Sequence, residues 1–118
     1  MRKAQWHMSP GEEIVLAKSL AADIESGQAL TGTPTITVYE KSGGSWVDKT
    51  SDFTIADNQV NTTTLTTENG ETIAIGDGVV FTLTAPNAEG EFSVEVSCGA
   101  DDGTTPKSNV ALTVSRTP

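Results

Sequence analysis

The chain has 118 residues, with 16 Asp and Glu against 7 Lys and Arg, a formal charge of −9 and 36 % hydrophobic residues. That length is one domain. The acidic balance excludes a phosphate-binding nucleic-acid surface, which needs clustered Lys and Arg, and no apolar run approaches the ~20 residues of a membrane helix.

The first ten residues, MRKAQWHMSP, stand apart from the rest of the chain. A charged start with no apolar stretch behind it is not a secretory signal. The segment is expected to form an extended N-terminal arm over 1–10, ahead of a single domain at 11–118. Arg2, Lys3, Trp6, His7 and Met8 are the expected partner-binding residues. An aromatic and a flexible thioether on a terminal arm suit an interface anchor.

Next comes GEEIVLAKSLA, where Ile14, Leu16, Ala17 and Leu20 have helical spacing. Helix-breaking stretches on both sides, SPGE and ESGQ, favour a strand at 12–19 instead. In PTITVYE, Ile36 and Val38 alternate with Thr35, Thr37 and Tyr39. SWVDKTSDFTI reads as two short strands about a bend, with Trp46 expected in core or rim packing. The Thr-rich NTTTLTTENGETIAI carries Asn69-Gly70, a two-residue hairpin signal that predicts pairing of 62–68 with 71–75.

The clearest patterns come last. Val79, Phe81, Leu83 and Ala85 share one face, as do Phe92, Val94, Val96 and Cys98, and then Val110, Leu112 and Val114. Strict alternation of this kind predicts antiparallel strands with one wet face. Turns at TGTP, KSGGS, ENGE, GDG, PNAEG and GADDGTTPK separate the segments. Seven or eight short strands with such spacing predict an all-β, two-sheet antiparallel sandwich. The core is thin for the length, so contacts with other chains are expected to add to the working stability.

Little in the chain suits catalysis. Nucleophilic chemistry needs a Ser or Cys beside a base, yet the only His, His7, is on the arm. The lone Cys98 allows no internal disulfide, ends an apolar strand face and reads as a buried thiol. The acid pairs Asp23 and Glu25, Asp48 and Asp52, and Asp101 and Asp102 lie in polar turns where water keeps carboxylates ionised. ADDGTTP lacks the alternating acids of a calcium loop, and no His/Cys cluster suits zinc. The chain is therefore expected to be no enzyme and to need no metal or cofactor. NTT at 61–63 is a glycosylation triplet by pattern only.

Two stretches, SLAADIESGQALTGTPTITVYEKSGGSWVD and GDGVVFTLTAPNAEGEFSVEVSCGADDGTTPKSNVALTVS, resemble small Ig-like virion proteins of tailed bacteriophages. The nearest group is the fiber–tail adaptor family, with related neck and head-decoration proteins. Leu20, Asp23, Ile24, Ser26, Gly27, Gln28 and Leu30 carry the first part of the resemblance. The pattern A-x-G-x-F-x-V-x-V, leading to a Gly turn and a last strand, carries the second. The resemblance spans residues 12 to 116. It implies an Ig-like sandwich in a virion, assembled in the bacterial host cytoplasm and present in many copies or as a homo-oligomer. Its implied partners are other virion proteins: portal or neck, tail, fiber or major capsid protein. The rival expectation is a cell-surface or carbohydrate-binding Ig-like adhesion module, for which Trp46 and Tyr39 are the available aromatics.

Overall fold

A computed structural model describes residues 5–24, 27–67 and 70–116. The alternating segments become strands, and no α-helix occurs among the described residues. In chain order the strands are β1 (Gln5–Met8), β2 (Glu13–Ser19), β3 (Leu30–Ser42), β4 (Ser45–Asp48), β5 (Thr54–Val60), β6 (Leu65–Thr66), β7 (Thr72–Ile73), β8 (Gly78–Thr84), β9 (Gly90–Ala100) and β10 (Lys107–Val114). Single 3-10 turns, Ala21–Asp23 and Thr50–Asp52, follow β2 and β4.

Two main sheets pack face to face. One has five strands in the order β1-β10-β9-β3-β4, and the other has three in the order β2-β8-β5. All neighbours are antiparallel except β1, which runs parallel to β10. The side chains expected to point inward do so. Val79, Phe81, Leu83, Val94, Val96, Val110, Leu112 and Val114 are all buried. Burial of each such side chain contributes roughly 1.5–3 kcal/mol.

The structure departs from the sequence reading within β3 and in the small hairpin, each for a local reason. TGTP is not a turn but an irregularity inside β3, between Thr31 and Thr35. Gly32 takes φ 83°, which a residue with a Cβ rarely adopts, and Pro34 has no N–H for the ladder. A second irregularity interrupts β5 between Ala56 and Gln59, where Asp57 has φ 57°. Asn58 Nδ2 there donates to the Pro34 carbonyl at 3.3 Å, tying the two irregularities together.

The small hairpin is shorter than expected. Among the described residues Leu65↔Ile73 and Thr66↔Thr72 pair, where pairing of 62–68 with 71–75 was expected. Thr67 closes it: its N–H donates to the Glu71 carbonyl at 2.9 Å, and its Oγ1 accepts the Glu71 N–H at 3.2 Å. Asn69 itself lies outside the described residues.

Asn61 fastens this hairpin to the sandwich. It is the buried polar residue of the described chain, 3 % exposed. Its Nδ2 donates to the carbonyls of Thr63 and Ala74, both at 2.9 Å. Its Oδ1 accepts the N–H groups of Gly76 at 3.1 Å and Gly78 at 3.0 Å. Both ends of the amide are thus occupied, and a side chain so enclosed offers no nitrogen to a glycan. Gly78 is needed beside it, because a Cβ there would lie 2.5 Å from Ile73 Cγ2. Asn61→Ala leaves the buried Gly78 N–H and the Thr63 carbonyl without their side-chain partner, while the Gly76 N–H keeps the Asn61 backbone carbonyl and the Ala74 carbonyl keeps the Asp77 N–H. It should therefore lower unfolding stability by about 1–3 kcal/mol in urea titrations. A change below about 0.5 kcal/mol would show that water replaces the amide at no cost.

Candidate interaction surfaces

The expected partner-binding residues fall on β1, and the structure gives them different environments. Arg2 and Lys3 lie outside the described residues. Trp6 faces the core, its ring edge-on to Phe81 with centroids 5.9 Å apart and planes at 63°. Met8 is fully buried. His7 points outward, with Nε2 2.9 Å from Ser115 Oγ. The described part of the expected arm is therefore a strand of the five-stranded sheet, in register with Ala111 to Val114. It is held by the same alternation as its neighbours, Trp6 and Met8 inward and His7 outward. Of the set, His7 alone presents its side chain to the outside along this strand.

The acidic turns are occupied by their own backbones. Asp102 Oδ1 accepts the Thr104 N–H at 3.0 Å and the Thr104 hydroxyl at 2.6 Å. Those bonds hold its carboxyl below the usual carboxylate range. Asp101 Oδ1 accepts the Ala29 N–H at 3.3 Å. Asp48 repeats the arrangement: its Oδ1 accepts the Thr50 N–H at 2.9 Å and the Thr50 hydroxyl at 2.7 Å, which again lowers its pKa. Among the described residues, no three His, Cys, Asp or Glu side chains are grouped to hold a metal ion. Cys98 is buried, its Sγ donates to the Thr31 carbonyl at 3.4 Å, and burial raises its pKa.

Two surfaces are better formed than these turns. On the outer face of the five-stranded sheet, Tyr39, Trp46, Ser93 and Asn109 line a shallow depression of about 320 Å³. Register creates it. Tyr39 lies opposite Asp48 on β4 and opposite Ser93 on β9, while Trp46 lies opposite Lys41, the next outward residue of β3. The two aromatics are diagonal neighbours, within reach of one small ligand. Asn109 Nδ2 donates to Ser93 Oγ at 3.2 Å on the depression's other side. The sequence predicts core or rim packing for Trp46; it is instead 53 % exposed, because outward parity on an edge strand leaves one flank of its ring uncovered.

The second surface is the outer face of the three-stranded sheet. Its rows are Val15↔Thr82↔Ala56 and Ala17↔Val80↔Gln59. Neither row holds a charged side chain, but Asp57, at the break in β5, lines the hollow beside Val15 and Val80, and Glu13 stands on the same face opposite Thr84. Val15 is 69 % exposed. The signal for this surface was present in EEIVLAKS. Once that stretch is read as a strand, the face opposite Ile14 and Leu16 carries Val15 and Ala17 where a solvated face would carry charge.

Compared with known protein families the chain matches no family, and among curated proteins it matches none.

The two tryptophans give a direct check of these placements. Trp46→Phe should remove the red-shifted emission that acrylamide quenches, leaving the protected emission of Trp6. Quenchable emission that survives in Trp46→Phe would mean that β1 does not cover the core.

Proposed function

We propose that the chain is a non-enzymatic structural protein of a tailed-bacteriophage virion, an Ig-like sandwich acting as fiber–tail or neck adaptor or as capsid decoration. It works through contacts with other virion proteins and is present in many copies. The strand order supports the Ig-like part. Ig sandwiches place strands G, F, C and C′ in one sheet and B, E and D in the other. Here β10-β9-β3-β4 and β2-β8-β5 follow those two orders, and β1 then takes the place of a short first strand beside the last one. The sequence resemblance over residues 12 to 116 supports the virion part.

One observation carries the contact reading. Of the large apolar side chains that are exposed, Val15 lies on β2 and Trp46 and Val47 lie on β4, and both are edge strands. Edges of soluble sandwiches are usually blunted with charge because they template further pairing. Apolar side chains on an edge suit a strand that meets a neighbour. Particles purified on a density gradient from the culture that produces this chain should contain it at constant copy number by quantitative mass spectrometry. A chain found only in the particle-free fraction would overturn the virion reading.

A second reading, a carbohydrate-binding adhesion module, is favoured by the depression at Tyr39 and Trp46. Sugar rings stack their C–H faces on aromatics and hydrogen-bond to flanking polar groups, here Ser93 and Asn109. On this reading the chain binds a defined saccharide on a glycan array and Trp46→Ala abolishes the signal. An array on which wild type binds nothing rejects it.

A further inference from the structure

We infer that the free edge of β2 is a self-recognition site, at which a second copy of this chain adds its own β2 antiparallel across a twofold axis. The inference rests on the reading of this chain as a protein that works through its edge strands, and it names the partner at one of them.

The ladder between β2 and β8 fixes which backbone groups are free. The Ala85 N–H donates to the Glu12 carbonyl at 2.9 Å, and the Leu20 N–H donates to the Asp77 carbonyl at 2.8 Å. In an antiparallel pair the hydrogen-bonded residues recur at every second position. Residues 12, 14, 16, 18 and 20 therefore bond to β8, and Glu13, Val15, Ala17 and Ser19 turn their N–H and C=O groups away from it. No strand among the described residues pairs with that side. Of the four edges of the two main sheets, β1 and β4 have four residues each, and β5 is broken at Asp57. β2 is seven residues long and unbroken in register.

The side chains identify the occupant. Free groups at odd positions require a partner strand whose own free groups meet them, and a second β2 qualifies with its centre on residue 14, 15, 16 or 17. Centring on Val15 sets Val15 against Val15 of the second copy on the outer face, Ile14 against Leu16 on the core side, and Glu12 against Lys18. β-branched, apolar and opposite-charge cross-strand pairs each favour pairing. On the outer face the same centring sets Glu13 against Ala17; on the core side, every other centre puts a charged residue opposite an apolar one: Glu12 opposite Leu16, Ile14 opposite Lys18, or Leu16 opposite Lys18. Lys18 has no ion-pair partner among the described residues. An inward charge on an edge strand obstructs pairing with a neutral strand. A second β2 brings the Glu12 carboxylate there, whose Oε1 also accepts the Ser9 N–H of its own chain at 2.8 Å, and this charge complementarity favours a copy of this chain over a neutral segment. The product is one continuous sheet of six strands, with the row from Val15 to Ala56 repeated across the axis.

Sedimentation equilibrium of the full chain at about 0.1 mM should show a monomer–dimer equilibrium, as expected for a small interface. Amide exchange by NMR should show Val15 and Ala17 protected at high concentration and open on dilution. Ala17→Pro removes an N–H that β8 does not use, and it should weaken dimerisation about tenfold or more while the fold is retained. Lys18→Glu should weaken it as well, and the exchange Glu12→Lys with Lys18→Glu should restore it, a rescue that only the register centred on Val15 provides. A monomer whose edge amides exchange freely overturns the inference but leaves contacts with other virion proteins intact. A monomer whose edge amides are protected at every dilution also overturns it, since a segment of the same chain then covers β2. A dimer indifferent to both substitutions overturns it in favour of another surface. Absence from particles bears on the virion reading alone.

Discussion

Two aromatic pairs clasp the sheets, and the rest of the arrangement depends on that clasp. Trp6 on β1 meets Phe81 on β8, and Phe53, just before β5, meets Phe92 on β9 with ring centroids 5.0 Å apart at 85°. Each pair joins the five-stranded sheet to the three-stranded one, and each is edge-on, the geometry that aromatic quadrupoles favour. Between them the aliphatic side chains of β3, β8, β9 and β10 fill one continuous core. Because strand side chains alternate, fixing Phe81 and Phe92 inward fixes every other residue of those strands. Tyr39 and Trp46 on one outer face, and Val15 and Ala17 on the other, face outward as a consequence of what the clasp holds in.

The legibility of the fold tracks how local its causes are. β8, β9 and β10 carry unbroken alternation, so their faces and partners could be read from residues 79–85, 92–98 and 110–114. β1 could not. It has four residues, and its stability comes from a parallel partner more than a hundred positions away; nothing in QWHM announces that β10 leaves an edge for it. The irregularity at Gly32 and Pro34 was legible as a break but not as a break inside a continuing strand, since Asn58, the Cys98 thiol and the β9 ladder carry the chain across it. Asn61 is the sharpest case. As a triplet it resembles a modification signal, whereas its burial follows from residues 73–78 folding back over it.

The outer surfaces were legible in part. Aromatic Trp46 and Tyr39 were visible as the residues a ligand-binding face would use, but not their adjacency, which depends on the register of β4 on β3. The edge of β2, which no described strand covers, is invisible in a sequence, because it is defined by which strands lie elsewhere. What the sequence does hold is the absence of charge between Glu13 and Lys18, in a chain carrying −9 overall.

On the proposed pairing of two copies, that contrast ties assembly to stability. Charges on separate copies repel, but at physiological ionic strength the interaction is screened beyond roughly 8 Å. A strip of neutral edge is therefore where two acidic surfaces approach at least cost. The same edge is where the thin core is least finished: Leu16 is buried against β8, yet Ile14 beside it is only half-buried. A strand added outside β2 would cover Ile14 and exclude water from the flank of Leu16, each CH₂ removed from water contributing about 0.8 kcal/mol. On the proposed pairing, the position that takes a partner is also the position at which that partner would complete the core, so folding and assembly would draw on the same few side chains.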